Sequence, residues 1–289
     1  MPPTRRTGEA LDGLAVALAS GAVSVIDLTA PLSSATPVLP LPPDMAPIPR
    51  FRLEELAKYD ERGRTSYQNA IHTGEHVGTH FDAPCHWVTG ADLGDVASVP
   101  VTRLVAPAVV IDRTEQCAAD PDHLLRREDV EAWQREHGGL PAGWLLVRTG
   151  WSARSHDQDL FLNADEAGPH TPGLDPECAR WLAEETPILG LGVETVGTDA
   201  GQAFAFEPEF PAHHFLLGAG KYGITQLRNL HLLPPTGALL IVAPLRIVGG
   251  SGSPARVLAL VGSPGGDPER NEVCHGRGIA SAASLSPVA

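Results

Sequence analysis

The stretch that most constrains the fold is an eleven-residue run, His76-Val77-Gly78-Thr79-His80-Phe81-Asp82-Ala83-Pro84-Cys85-His86. Its three histidines and its aspartate all occupy even-numbered positions. Alternate side chains of an extended chain point to one face, so these four would project together. In a helix, His76 and His80 would align, but Asp82 would fall on the opposite side and Pro84 would break the hydrogen-bond ladder. The run therefore predicts an extended segment with one polar face.

This polar face predicts a metal site, because imidazole and carboxylate groups are ligands of zinc, manganese and iron(II). A straight strand from His76 to His86 would span about 33 Å, which is too long for all four side chains to reach one ion. The segment must therefore bend, and Gly78 and Pro84 are the residues that permit a bend.

We expect His76, His80 and Asp82 to be direct ligands, with His86 displaced toward a second metal or a catalytic position. The alternative interpretation is that the histidines are hydrogen-bonded core residues and that the aspartate belongs to a turn. The shared parity of all four residues favours the metal site.

The pattern H-x-G-T-H-x-D-x-P-x-H resembles the signature of a metal-dependent hydrolase family, often labelled putative cyclase, that includes bacterial kynurenine formamidase and isatin hydrolase. The resemblance extends over residues 26–256 and includes the segments 148–151, 212–218, 220–223 and 249–256. It implies an α/β chain with a single domain in a swivelling β/β/α fold, built of a mixed β-sheet and flanking helices. Relatives are usually dimers, so the resemblance also implies a homodimer.

The residues that complete the metal site follow from this resemblance. In the kynurenine formamidase branch, two zinc ions are held with a later histidine and a glutamate twelve residues after it. His213 matches the histidine, but Thr225 occupies the glutamate position, and a neutral side chain cannot bridge two cations. The sequence is more similar to the isatin hydrolase branch, which implies one manganese ion and an amide oxygen as a further ligand. We therefore expect one divalent metal, Mn²⁺ or Zn²⁺, bound by His76, His80, Asp82 and Gln226.

The resemblance implies a metal-dependent hydrolase that uses metal-activated water to open a cyclic amide or cleave an aryl amide. His86 or His213 would take the proton of the water and later pass one to the leaving nitrogen. Trp87, Phe81 and Trp151 would form a flat pocket for a small aromatic substrate, with core packing as the alternative for each. Two other functions stay open: a metal-assisted cyclase or dehydratase acting on an aromatic polyketide-type intermediate, and a non-catalytic protein that binds metal and ligand.

Composition narrows the partners and the compartment. The formal net charge is −14 and no block of basic residues is present, so binding to nucleic acid or to an anionic membrane is not expected. The four cysteines are scattered without a C-x-x-C pair, which favours a reduced compartment. Glu9 and Asp12 interrupt the N-terminal apolar run, so an amphipathic helix ending near Gly21 is favoured over a signal peptide. We expect a cytoplasmic protein.

Local patterns predict the remaining elements. Apolar runs predict strands at residues 23–28, 67–72, 104–112, 144–148, 188–193, 213–217, 238–243 and 256–261. Helices are predicted at 128–137 and, after the cap Asp175 and the first-turn Pro176, at 178–185. Residues 31–49 read as a long loop and 52–60 as a short helix or irregular arm. We expect one domain over residues 1–262 and a flexible tail over 263–289.

Overall fold

The computed structural model describes residues 7–41 and 46–263. Of the tail predicted for 263–289, residues 264–289 lie outside the described ranges. The α-helices within these ranges are α1 (Thr7–Ala19), α2 (Thr114–Ala119), α3 (Arg127–His137), α4 (Gln158–Leu162) and α5 (Pro176–Glu184). The strands are β1 (Val23–Asp27), β2 (Arg52–Lys58), β3 (Tyr67–His72), β4 (His80–Asp82), β5 (Val105–Asp112), β6 (Leu124–Leu125), β7 (Trp144–Arg148), β8 (Ala164–Asp165), β9 (Gly168–Pro169), β10 (Gly173–Leu174), β11 (Gly190–Val193), β12 (Tyr222–Thr225), β13 (Ala238–Pro244) and β14 (Gly252–Gly262). None of these helices is long and apolar enough to cross a membrane.

The chain divides into two units, one formed by Met1–Ser24 with Gly262–Ala289 and a larger one formed by Val25–Val261. In the smaller unit, α1 confirms the helix predicted before Gly21, and its side chains Leu11 and Val16 are exposed. The Ser263 backbone N–H donates to Ala22 O at 2.9 Å.

The larger unit is organised by a mixed sheet with the strand order β1-β14-β13-β5-β7-β11-β12-β4. The neighbours β5, β7, β11 and β12 run parallel, so their carboxyl ends lie at the same edge. The short strand β4 pairs antiparallel with β12 on one side and with the first residues of β14 on the other. Because β14 continues into its pairing with β13, the strand pairing closes on itself through β4.

Apolar side chains cover both faces of this sheet, and the strands therefore read as nearly continuous apolar runs in the sequence. Along β7, Trp144 and Leu146 enter one core cluster, whereas Leu145 and Val147 enter the other. The second cluster includes the buried faces of α3 and α5.

Most predicted elements are present, and two predictions are wrong. Residues 52–58 form β2, paired with β3, instead of a helix or an irregular arm. Strand β2 is largely exposed, so it lacks the apolar alternation by which a strand is recognised. The apolar run His213–Leu217 is one turn of π-helix and not a strand, and the length and apolarity of such a short run do not distinguish the two.

Candidate metal centre

Strand β4 places His80 and Asp82 on one face, with exposures of 4% and 1%. Phe81, between them, points to the opposite face, as the alternation of a strand requires. Its ring packs against Tyr222 and Trp144 at centroid distances of 5.1 and 6.2 Å. These contacts favour core packing, the alternative given for Phe81, over the predicted pocket role.

His76 comes from the loop before β4 and completes a cluster with His80 and Asp82. One potential ligand atom from each of the three residues lies within 4.8 Å of the other two. His76 Nδ1 is 2.8 Å and His80 Nε2 is 3.4 Å from Asp82 Oδ1. The bend predicted near Gly78 is present, since this glycine has a φ of +67°. The three residues predicted as direct ligands are thus brought together.

The hydrogen-bond partners of the two imidazoles show what this cluster can bind. His80 Nδ1 lies 2.7 Å from Gly78 O, which can only accept, so Nδ1 carries the proton and the Nε2 lone pair faces Asp82. His76 Nε2 lies 2.9 Å from Ser251 Oγ, which leaves Nδ1 facing the same carboxylate. Burial alone would raise the pKa of Asp82, but the adjacent imidazoles of His80 and His76 outweigh burial and hold this pKa well below its usual value. An anionic oxygen and two nitrogen lone pairs form a donor set that suits a divalent cation.

Glycines leave space for this donor set. Asp82 pairs with Gly223 on β12 and with Gly252 on β14. A Cβ atom on Gly223 would lie 2.7 Å from Asp82 Oδ2, and one on Gly252 would lie 2.5 Å from His76 Cε1. Any side chain at either position would displace a proposed ligand.

The end of β12 brings Thr225 and Gln226 beside the cluster. Thr225 is opposite His80 in the register, and its Oγ1 lies 2.9 Å from His80 Nδ1 and 3.2 Å from Nε2. Gln226 is buried, has a φ of +53°, and its Nε2 lacks a hydrogen-bond partner among the described residues. A bulky residue in this backbone region is uncommon and often marks a functional site. Ligation by Gln226 stays a prediction.

A group of rings extends from the cluster. The His86 ring stacks on the His76 ring at 3.8 Å between centroids and lies 5.5 Å from His213. Trp87 lies 4.8 Å from His213 and 5.5 Å from Phe210. The positive φ of Phe210, 52°, was not foreseen from the sequence. The structure thus gathers His86, His213 and Trp87 in one place, as their predicted roles require.

Asp199 is a further site residue that the sequence analysis missed. Its carboxylate accepts hydrogen bonds from the backbone N–H of Ala212 at 2.7 Å and of His213 at 3.1 Å, and from His213 Nδ1. Burial would lower the pKa of His213, but the hydrogen bond and charge of Asp199 outweigh it and raise this pKa. By contrast, burial lowers the pKa of His86 to about 3.

Trp151 lies in a different environment. It is only 2% exposed, its Nε1 donates to Phe161 O at 2.8 Å, and the Arg154 guanidinium lies 3.9 Å from its ring centroid. Its preceding turn is held by the buried carboxylate of Glu194, which accepts from the N–H of Gly150 at 2.6 Å. These contacts favour packing over the pocket role predicted for Trp151.

A mixed sheet closed through the strand that carries His80 and Asp82, with His76 beside them, defines an α/β protein with a candidate metal centre. The chain belongs to the cyclase family, because the family model described as putative cyclase matches residues 26–200. This membership confirms the family and the fold class expected from the sequence.

Known proteins of the family resemble most of the chain. The isatin hydrolase of Roseibium aggregatum is 48% identical over 256 residues, which cover 87% of this chain and 97% of that protein. The kynurenine formamidase of Salinibacter ruber is 28% identical over 240 residues, covering 82% and 97%. A crystal structure of an isatin hydrolase bound to the product analogue thioisatinate superposes with a TM-score of 0.87 at 46% identity, covering 90% of this chain and 100% of that one.

Proposed function

We propose that this protein is a metal-dependent hydrolase that opens a cyclic amide or cleaves an aryl amide, with one Mn²⁺ or Zn²⁺ ion at the cluster. The observation that carries the proposal is the convergence of one ligand atom each from His76, His80 and Asp82, all within 4.8 Å of one another. The similarity to an isatin hydrolase supports the choice of a cyclic amide as substrate.

The protein's own residues would hold the ion and leave space for water. His76, His80 and Asp82 supply three ligand atoms, and the amide oxygen of Gln226 supplies a fourth. When bound, a divalent ion lowers the pKa of water toward neutrality and polarises a carbonyl oxygen. The glycines Gly223 and Gly252 keep the ligand atoms in place because they carry no side chain at the contact.

The rings beside the cluster (His86, His213, Trp87 and Phe210) would transfer protons and contact the substrate. Asp199 orients His213 through Nδ1, which leaves Nε2 as the atom that holds a proton and gives it to the leaving nitrogen. His86, stacked on His76, would take a proton from the attacking water. In the reaction, the water oxygen joins the carbonyl carbon, the carbon–nitrogen bond breaks, and the leaving nitrogen takes the His213 proton. The proton taken by His86 then returns to His213, whose ring lies 5.5 Å away. Trp87 and Phe210 present aromatic faces to an aromatic substrate.

An amide-hydrolysis panel tests this function. The purified protein, loaded with Mn²⁺ or Zn²⁺, is incubated with isatin, N-formylkynurenine and a set of aryl lactones, and acid release is followed. We expect ring opening of isatin, loss of the activity with a chelator, and its return with added metal. Tight binding of these compounds without turnover would instead support a ligand-binding protein, and cyclisation without acid release would support a cyclase.

We also propose a homodimer, a cytoplasmic location and one domain over residues 1–262. The described cysteines Cys85, Cys117 and Cys178 are free thiols, which supports a reduced compartment. Size-exclusion chromatography with light scattering tests the dimer, because a monomeric mass at micromolar concentration would contradict it.

A further inference from the structure

A chain of hydrogen bonds reaches the metal cluster from outside. Glu75 Oε2 accepts from the Ser251 hydroxyl at 2.6 Å and from the Ser251 backbone N–H at 3.1 Å. Ser251 Oγ in turn lies 2.9 Å from His76 Nε2. His76 therefore contacts Ser251 through one ring nitrogen and Asp82 through the other.

The donor and the acceptor in each of these hydrogen bonds follow from the carboxylate of Glu75. A carboxylate can only accept, so the Ser251 hydroxyl must donate its single proton to Glu75. The oxygen of Ser251 then has only lone pairs left for His76, and the imidazole must donate to it from Nε2. In a neutral imidazole, Nδ1 is consequently the nitrogen with the lone pair, and Nδ1 faces Asp82.

Two segments that are distant in sequence supply the residues of this hydrogen-bond chain. Glu75 precedes His76 in sequence, whereas Ser251 arrives on the turn before β14. Neither neighbour of Ser251 has room for a side chain: a Cβ atom on Gly250 would lie 3.0 Å from Glu75 Oε1, and one on Gly252 would lie 2.5 Å from His76 Cε1. The turn is thus packed directly against the acceptor and the ring that it connects.

We propose that Glu75 and Ser251 are positioning residues that keep the His76 proton on Nε2 and so present the Nδ1 lone pair to a divalent ion. This inference rests on the proposed metal-dependent function. Outer hydrogen-bond partners of metal-bound histidines fix the tautomer and ring orientation, and their loss typically weakens metal affinity by about ten- to a hundredfold.

The Glu75→Leu variant tests the direction of these hydrogen bonds by removing the acceptor. Without the carboxylate, the Ser251 hydroxyl proton is free to point to His76 Nε2, and the imidazole proton moves to Nδ1. A glutamine would not test this, because its amide oxygen would still accept from both the Ser251 N–H and the Ser251 hydroxyl. Binding of Mn²⁺ and Zn²⁺ is measured by competition with a fluorescent chelator on the full chain. We expect dissociation constants raised about ten- to a hundredfold in Glu75→Leu and in Ser251→Ala.

A second measurement distinguishes a change of the His76 tautomer from a general loss of order at the metal site. The ¹⁵N chemical shifts of His76 in the metal-free protein report which nitrogen is protonated. We expect protonated Nε2 in the parent protein and a loss of that signature in Glu75→Leu.

The matched control is Asp95→Asn. Asp95 Oδ2 accepts from the Gly249 backbone N–H at 2.7 Å and anchors the same turn without touching His76. We expect its metal affinity to stay within about twofold of the parent.

The outcomes distinguish this inference from the proposed function. A parent protein that binds neither ion overturns both. If the parent binds metal and the Glu75 and Ser251 variants bind it equally well, only the inference fails. Equal weakening by Asp95→Asn would assign the effect to the position of the turn and would also overturn it.

Discussion

Gly223 lies opposite Asp82 across the β12–β4 pair, and its Cα hydrogen occupies the place where any other residue would press a Cβ atom onto the carboxylate. The calculated approach of 2.7 Å to Asp82 Oδ2 is below the range that real Cβ atoms show. Thr198 Cγ2, at 3.2 Å from the same point, closes the space on another side. The metal cluster therefore depends on a residue that contributes no ligand atom.

The Gly223→Ala variant should bind metal at least about tenfold more weakly, because the added methyl must displace Asp82 from its partners. Titration with Mn²⁺, alongside circular dichroism to confirm folding, measures the effect. Gly197→Ala is the control, since a Cβ atom there has no neighbour within 4 Å. Unchanged affinity in a folded Gly223→Ala protein would show that the cluster can shift without loss.

The His80→Ala variant should lose the ion and the activity together, because His80 Nε2 is one of the four proposed ligand atoms and its loss removes a strong nitrogen donor from the site. Metal content is measured by mass spectrometry after dialysis. His72→Ala, at a partly exposed histidine that pairs with Glu54, serves as the control and should keep both. A His80→Ala protein with a stoichiometric ion would contradict the ligand assignment.

The His86→Ala variant should keep the ion but lose most of the activity. The ring stacks on His76 but supplies no atom to the three-residue cluster, so the variant should retain the ion. Its kcat should fall by about a hundred- to ten-thousandfold, the usual contribution of a positioned proton-transfer group. Metal content and kcat measured on the same preparation test this, and loss of the ion would instead make His86 a ligand.

The parity of the motif was enough to predict the core of the site. Alternation along β4 brings His80 and Asp82 to one face, and the same rule, applied to the odd position of Phe81, would have placed that ring in the core. The sequence therefore already favoured core packing for Phe81. Trp151 is different, because only the position of Phe161 and Arg154 in three dimensions shows that its ring is enclosed.

Other parts of the site could not be predicted because they depend on contacts between distant segments. Asp199 reaches His213 only because a helical turn replaces the expected strand at His213–Leu217. Ser251 reaches His76 across 175 residues of sequence. Neither contact has a local pattern, whereas the strands of the sheet do, and most of their bounds were predicted within a few residues.

Asp199→Asn should change the pH dependence of catalysis in a defined direction. Asp199 raises the pKa of His213 against the effect of burial, so its neutralisation should lower that pKa. If His213 acts as the acid, kcat/KM declines when it loses its proton, and this decline should move to lower pH in the variant. Profiles of kcat/KM between pH 5 and 10, roughly the range around the usual histidine pKa, would show it.

The same pKa shift affects stability. Because the folded pKa of His213 lies above the unfolded value of about 6.5, its contribution is complete below that pH and disappears as pH rises through the folded pKa. Asp199→Asn should remove this dependence. Thr198→Val is the control, since it deletes only the longer 3.3 Å contact to His213 Nδ1. An equal change in the pH dependence of stability in Thr198→Val would show that the effect does not come from Asp199.

Substitutions of Trp87 and of Trp151 should have different effects, the first on substrate binding and the second on stability. Trp87 is partly exposed beside His213 and Phe210, so Trp87→Ala should raise KM for an aromatic substrate while changing the free energy of unfolding less. Trp151 is enclosed, and Trp151→Ala should lower the free energy of unfolding by about 3–5 kcal/mol. Urea denaturation and steady-state kinetics on both variants test the pair. A large increase in KM for a Trp151→Ala protein that stays fully folded would instead place Trp151 in the substrate pocket, because an enclosed ring that only packs contributes to KM through folding alone.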